Sequence, residues 1–122
     1  MKEFRSLEEV ERAGLGGCAY RAVHGTLKRL IDAYEACGEE YVPEDDGHVV
    51  LLEPGDTDDV VRDAIGYALR DAPLEGCVFE DGFFLTCVLW NNQYGISIVI
   101  PDEPWVDPGL RATLLCDCAE GG

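Results

Sequence analysis

Apolar and polar positions along this chain change period several times, and each change marks an element. Residues 6–13 (SLEEVERA) begin with Ser6 as a helix N-cap and Glu9 three positions on, a capping-box spacing. Glycines 14, 16 and 17 then stop the helix. Over about 18–36, Tyr20, Val23, Leu27, Leu30, Ile31 and Tyr34 recur at steps of three and four. That is the apolar stripe of a longer amphipathic helix, with Gly38 at the position of a C-terminal cap.

A polar stretch over 38–47 precedes His48–Leu52 (HVVLL), a short β-branched run that reads as a strand. Pro54-Gly55-Asp56 turns the chain. Asp56 or Thr57 then caps a predicted helix over about 57–71, with Val61, Ala64, Ile65, Ala68 and Leu69 on its apolar side.

From residue 76 to 100 the period falls to two. Asp81-Gly82 between apolar runs is a hairpin signal, and it sets Glu80 opposite Phe83, Val78 opposite Leu85 and Cys77 opposite Thr86. A third strand is expected over Ile96–Ile100. Asp107-Pro108 announces a last helix reaching to about Cys116. The fold class predicted is α+β: one domain spanning residues 1–122, with a small antiparallel sheet (a three-stranded meander plus one further strand) packed by about four helices.

Composition changes this picture in one respect, charge. Twenty-five carboxylates face nine Lys and Arg, a net charge of −16. At 47% hydrophobic residues the chain still has a core to bury and is no disordered acidic tail. Direct contact with nucleic acid or an anionic membrane is disfavoured, and a basic protein partner is expected. Spread evenly, the charge amounts to one per roughly 400 Å² of surface. B-DNA, with a phosphate every ~1.7 Å along its axis, carries about four times that density. A nucleic-acid mimic made from this chain must therefore concentrate its carboxylates.

Two clusters offer that concentration. Glu39, Glu40, Glu44, Asp45 and Asp46 form one, and Glu53, Asp56, Asp58, Asp59 and Asp63 the other, with the His48–Leu52 strand between them. Both are expected to lie on one face, extended by Asp102, Glu103 and Asp107. A second candidate surface is apolar. Both faces of the 77–90 hairpin carry large hydrophobic residues, so Phe79, Phe84 and Trp90 are either covered by helices or open to a partner, a second copy included.

Catalytic chemistry has little to stand on. His24 and His48 are the only histidines, and no nucleophile or carboxylate is spaced to serve them. His24, with Arg21 and Lys28, reads as a solvated helix face. Cys116-x-Cys118 is the one close cysteine pair, without the spacing of a zinc knuckle, and the six cysteines read as free thiols. Aligning Glu44–Glu53 on a calcium loop leaves Val42 at the first ligand position, which cannot ligate. Gly14-Leu15-Gly16-Gly17 lacks the strand and lysine of a phosphate loop. No cofactor, metal or catalytic residue is assigned.

With a charged start in place of a signal-peptide pattern, a cytoplasmic location is expected. The functional expectation is an acidic inhibitor or adaptor that occupies the basic surface of a nucleic-acid-binding enzyme or effector. On composition alone, anti-restriction or anti-CRISPR-like inhibitors have this size and charge. An immunity protein that neutralises a basic toxin is the alternative, and a small ligand-binding domain or enzyme the third class.

Overall fold

The computed structural model describes residues 2–42, 48–56, 59, 74–90, 94–109, 111–112 and 119–120. Its elements are β1 (Lys2–Phe4), α1 (Leu7–Arg12), α2 (Gly17–Ala36), β2 (His48–Leu51), β3 (Leu74–Glu80), β4 (Phe83–Trp90), β5 (Tyr94–Pro101) and β6 (Ala119–Glu120).

Local chemistry explains the helix ends. The Ser6 hydroxyl accepts from the Glu9 amide at 3.2 Å, which fixes the start of α1. The Glu9 carboxylate reaches back to the Arg5 amide at 3.2 Å, one residue short of the reciprocal capping-box bond expected at Ser6. At the end of α2, Gly38 takes φ +79°, a left-handed conformation that suits glycine. The Glu39 amide donates to the Tyr34 carbonyl and the Gly38 amide to that of Glu35, both at 3.0 Å. This is a Schellman closure.

Among the described residues, six strands form one mixed sheet in the order β1-β2-β5-β4-β3-β6. Strands β3, β4 and β5 are antiparallel neighbours, and Glu80, Val78 and Cys77 stand opposite Phe83, Leu85 and Thr86. Asp81 (φ 53°) and Gly82 (φ 85°) both lie in left-handed space, the demand of a two-residue type I′ turn. The sheet as a whole is not the antiparallel meander plus one strand that was expected. β2 pairs in parallel with β5, β1 antiparallel with β2, and β6 in parallel with β3. Strands β2 and β3 thus run the same way.

The helix count is corrected as well. Two helices, not about four, stand as elements among the described residues. Of the predicted 57–71 helix, only Asp59 falls within them, and it is helical. Pro108, Gly109, Arg111 and Ala112 are helical too, with the Arg111 amide on the Asp107 carbonyl at 2.9 Å. The rest of that predicted helix lies outside the described residues. No helix among the described residues is long and apolar enough to cross a membrane.

Helices α1 and α2 cover one sheet face. Val10, Ala22, Val23 and Leu27 pack there with Phe4, Val49, Leu51 and Val99, while Phe83 and Leu85 join at the margin. The opposite face is buried too: Val50, Phe84, Ile98 and Ile100 have no exposed surface, and Thr86 hides its hydroxyl by donating to the Ile98 carbonyl at 3.1 Å. Residues 49–52 are buried without a break, as expected for a strand covered on both sides.

Candidate functional site

Strand directions decide which polar groups meet. Because β2 and β5 are parallel, the residues that follow each strand leave the sheet at the same end. Glu53 and Asp56 follow β2, and Asp102 and Glu103 follow β5. The β3–β4 turn arrives there as well, since Phe83 pairs with Pro101 and the Asp102 amide donates to the Gly82 carbonyl at 2.9 Å. Glu80 and Asp81 therefore join the group. The chain also begins at this end, because Lys2 pairs with Leu51.

Local bonds hold several of these carboxylates in place. Pro54-Gly55 makes a turn in which Gly55 has φ +95°, the position a type II turn reserves for glycine. The Asp56 carboxylate accepts from the Glu53 amide at 2.8 Å, and the Asp56 amide donates to the Glu53 carbonyl at 3.1 Å. Asp102 receives both Nε (2.6 Å) and Nη2 (3.4 Å) of Arg111. That hydrogen bond, and then the attraction of the Asp102 charge, raises the Arg111 guanidinium above its ordinary pKa. The Trp105 indole N–H donates to Glu103. Lys2 meets Glu53 at 3.8 Å and Arg29 meets Glu80 at 3.9 Å, both loose and exposed pairs worth little.

An open groove of about 450 Å³ lies at this end, lined among the described residues by Asp102, Glu103, Pro104, Val106, Pro108, Arg111 and Ala112. A smaller one of about 160 Å³ runs between α2 and the hairpin, where Arg21 and Arg29 face Glu80 and Asp81.

The charge density here differs from the average. The whole surface, 6829 Å², holds one net charge per about 430 Å². Among the described residues at the sheet end, Glu53, Asp56, Glu80, Asp81, Asp102, Glu103 and Asp107 outnumber Lys2, Arg21, Arg29 and Arg111 by three. Strands β2 to β3 span about 14 Å, so a patch with side-chain margins is about 24 Å across and about 450 Å² in area. Its projected density is one net charge per about 150 Å², against about 100 Å² of smooth cylinder for B-DNA.

The two predicted clusters are not brought to one place in their described members. The Tyr41 hydroxyl donates to the Arg5 carbonyl at 2.7 Å, next to the Phe4–Val49 pair, so Glu39 and Glu40 approach the starting end of β2. Both are exposed. Glu53, Asp56 and the exposed, helical Asp59 follow its other end. Glu44, Asp45, Asp46, Asp58 and Asp63 lie outside the described residues. Asp102 and Glu103 extend the second cluster across the sheet end.

Of the apolar candidates, Phe84 is fully buried, its ring 4.9 Å from that of half-buried Phe79. Trp90 is placed by its backbone, opposite Tyr94. Val78, at 41% exposure, is the large hydrophobic residue most open to solvent among the described ones. On α2, Arg21 and Lys28 are exposed as expected, but His24 is half-buried with its ring 5.2 Å from Tyr20. Cys18 and Cys37 are free and exposed. No group of three metal-ligating side chains occurs among the described residues.

Glu80 and Asp81 are absent from the expected site. Their sequence signal, Asp-Gly between apolar runs, speaks only of a turn. What makes them part of the acidic end is the pairing of β5 with both β4 and β2.

Comparison with known proteins gives no match among family models, curated proteins or solved structures.

Proposed function

We propose that this chain is an acidic protein-binding inhibitor or adaptor whose sheet end docks on the basic, nucleic-acid-binding surface of a partner enzyme or effector. The reading is carried by the convergence of Glu53, Asp56, Glu80, Asp81, Asp102 and Glu103 from three separate segments. A solubilising surface needs no such gathering, and spreading like charges would relieve their repulsion. Per projected area, the gathered charge approaches that of a nucleic-acid backbone. A cationic groove shaped for phosphates would meet complementary charge there, which speeds encounter and excludes anionic competitors.

The test is capture from producer-cell lysate by immobilised wild-type protein and by a Glu53→Gln/Glu80→Gln/Asp81→Asn/Glu103→Gln variant. The expected result is a nucleic-acid-binding protein that is held at low salt, released by duplex DNA and lost with the variant. Capture that is indifferent to DNA and to the four substitutions contradicts the proposal.

A further inference from the structure

The groove beside the last turn combines three features that together specify a ligand chemistry. Its rim carries Asp102 and Glu103, and Asp107 is next in the chain to Val106 and Pro108, which line it. Pro104, Val106, Pro108 and Ala112 give it apolar walls. It also already holds a guanidinium, since Arg111 bonds through Nε and Nη2 to both oxygens of Asp102. The planar fork of arginine fits a carboxylate in this two-bond manner, which a lysine ammonium cannot reproduce.

From this we infer that the groove is the seat for an arginine-bearing extended segment of the basic partner, with Arg111 as an internal stand-in that competes for it. The inference rests on the function proposed above and names the partner group recognised. Three observations place the incoming guanidinium. Asp102 is engaged by Arg111. Glu103, three residues before buried Val106, is exposed, and among the described residues its carboxylate is held by the Trp105 indole. A groove of about 450 Å³ has room for a few extended residues beside it. Glu103 thus takes the incoming arginine, whose aliphatic stem lies on Pro104 and Val106, as long charged side chains do on apolar surface. Where Arg111 is removed, Asp102 becomes a second acceptor.

The probe is an acetylated, amidated tri-arginine peptide, titrated at low ionic strength into the full chain and followed by the Trp105 indole N–H resonance. That proton sits on the Glu103 carboxylate, so it reports displacement there. Saturable shifts are expected at Trp105, Val106 and Arg111, about fivefold weaker binding of tri-lysine, and none by tri-citrulline. Glu103→Gln is expected to weaken tri-arginine at least fivefold, whereas Arg111→Gln tightens it about threefold. Both substituted positions are exposed, so backbone spectra should confirm the fold of each variant.

Equal shifts at Glu39 and Glu40, equal affinity for the arginine and lysine peptides, or weaker binding by Arg111→Gln would overturn the inference. Lysate capture that survives Glu103→Gln but fails on Glu53→Gln/Glu80→Gln/Asp81→Asn would sink the groove and leave the acidic docking end standing. Loss of all DNA-sensitive capture, with specific tri-arginine binding kept, would reject the function and not the groove.

Discussion

Replacing Phe84 by alanine separates a core residue from a docking residue. Its side chain has no solvent exposure, lies in a strand hydrogen-bonded on both edges, and touches Phe79 at a ring separation of 4.9 Å. A buried Phe→Ala change costs about 3–5 kcal/mol, from lost transfer energy and the cavity left behind. At an unfolding entropy of about 2.1 cal/mol/K per residue, a chain of this length loses about 4 °C of Tm per kcal/mol, hence about 12–20 °C. In urea, with m of about 1.5 kcal/mol/M, the midpoint falls by about 2–3 M. Phe84→Leu, at about 1–2 kcal/mol, keeps a measurable transition if the alanine variant is already unfolded. Val78→Ala, at a position 41% exposed, serves as the control and is expected to cost less than about 1 kcal/mol. The assay is equilibrium urea denaturation of the three variants, read by far-UV circular dichroism. A Phe84→Ala cost no larger than that of Val78→Ala would falsify the assignment of this sheet face to the core.

The hairpin turn offers a backbone test: Gly82→Ala, at φ 85°, is expected to lose about 1–2 kcal/mol, while Asp81→Gly, at φ 53°, is tolerated or stabilising, both read by thermal melts. Ser6→Ala removes the acceptor of the Glu9 amide and is expected to cost about 1 kcal/mol, with Ser6→Asp restoring most of it. Among the thiols, Cys18 and Cys37 are expected in the fast phase of alkylation of the native protein, and the Cys18→Ser/Cys37→Ser variant should lower its amplitude by two thiols. A fast phase of unchanged amplitude would contradict their exposure.

Short-range signals in this sequence are faithful where a few residues decide geometry. The Asp81-Gly82 pair sets the β3–β4 register because only small or αL-tolerant residues accept two positive φ angles. The stripe from Tyr20 to Tyr34 marks the buried side of α2, and Gly38 its left-handed stop. Sheet order is written nowhere locally. The parallel union of β2 with β5 joins segments about fifty residues apart, and nothing in His48–Leu51 distinguishes it from an antiparallel pairing. Strands β1 and β6, of three and two residues, are too short for a period-two pattern to show. The acidic site inherits this limit. Runs of carboxylates at 39–46 and 53–63 are visible as runs, but Glu80 and Asp81 enter the site only through strand order, and Glu39 and Glu40 are parted from Glu53 by the length of β2.

Association kinetics test the acidic sheet end most directly as the proposed docking surface. Stopped-flow association with the captured partner is measured at ionic strengths of about 0.02 and 0.15 M for wild type, the Glu53→Gln/Glu80→Gln/Asp81→Asn/Glu103→Gln variant and a Glu39→Gln/Glu40→Gln control. Charges steering an encounter are screened beyond a Debye length of about 8–10 Å at the higher salt, so the wild-type rate should fall about tenfold or more between the two. The fourfold variant should be slow at low salt and nearly indifferent to added salt, with the control close to wild type. A fourfold variant that associates as fast as wild type at 0.02 M, while the Glu39/Glu40 control is slowed, would contradict the claim.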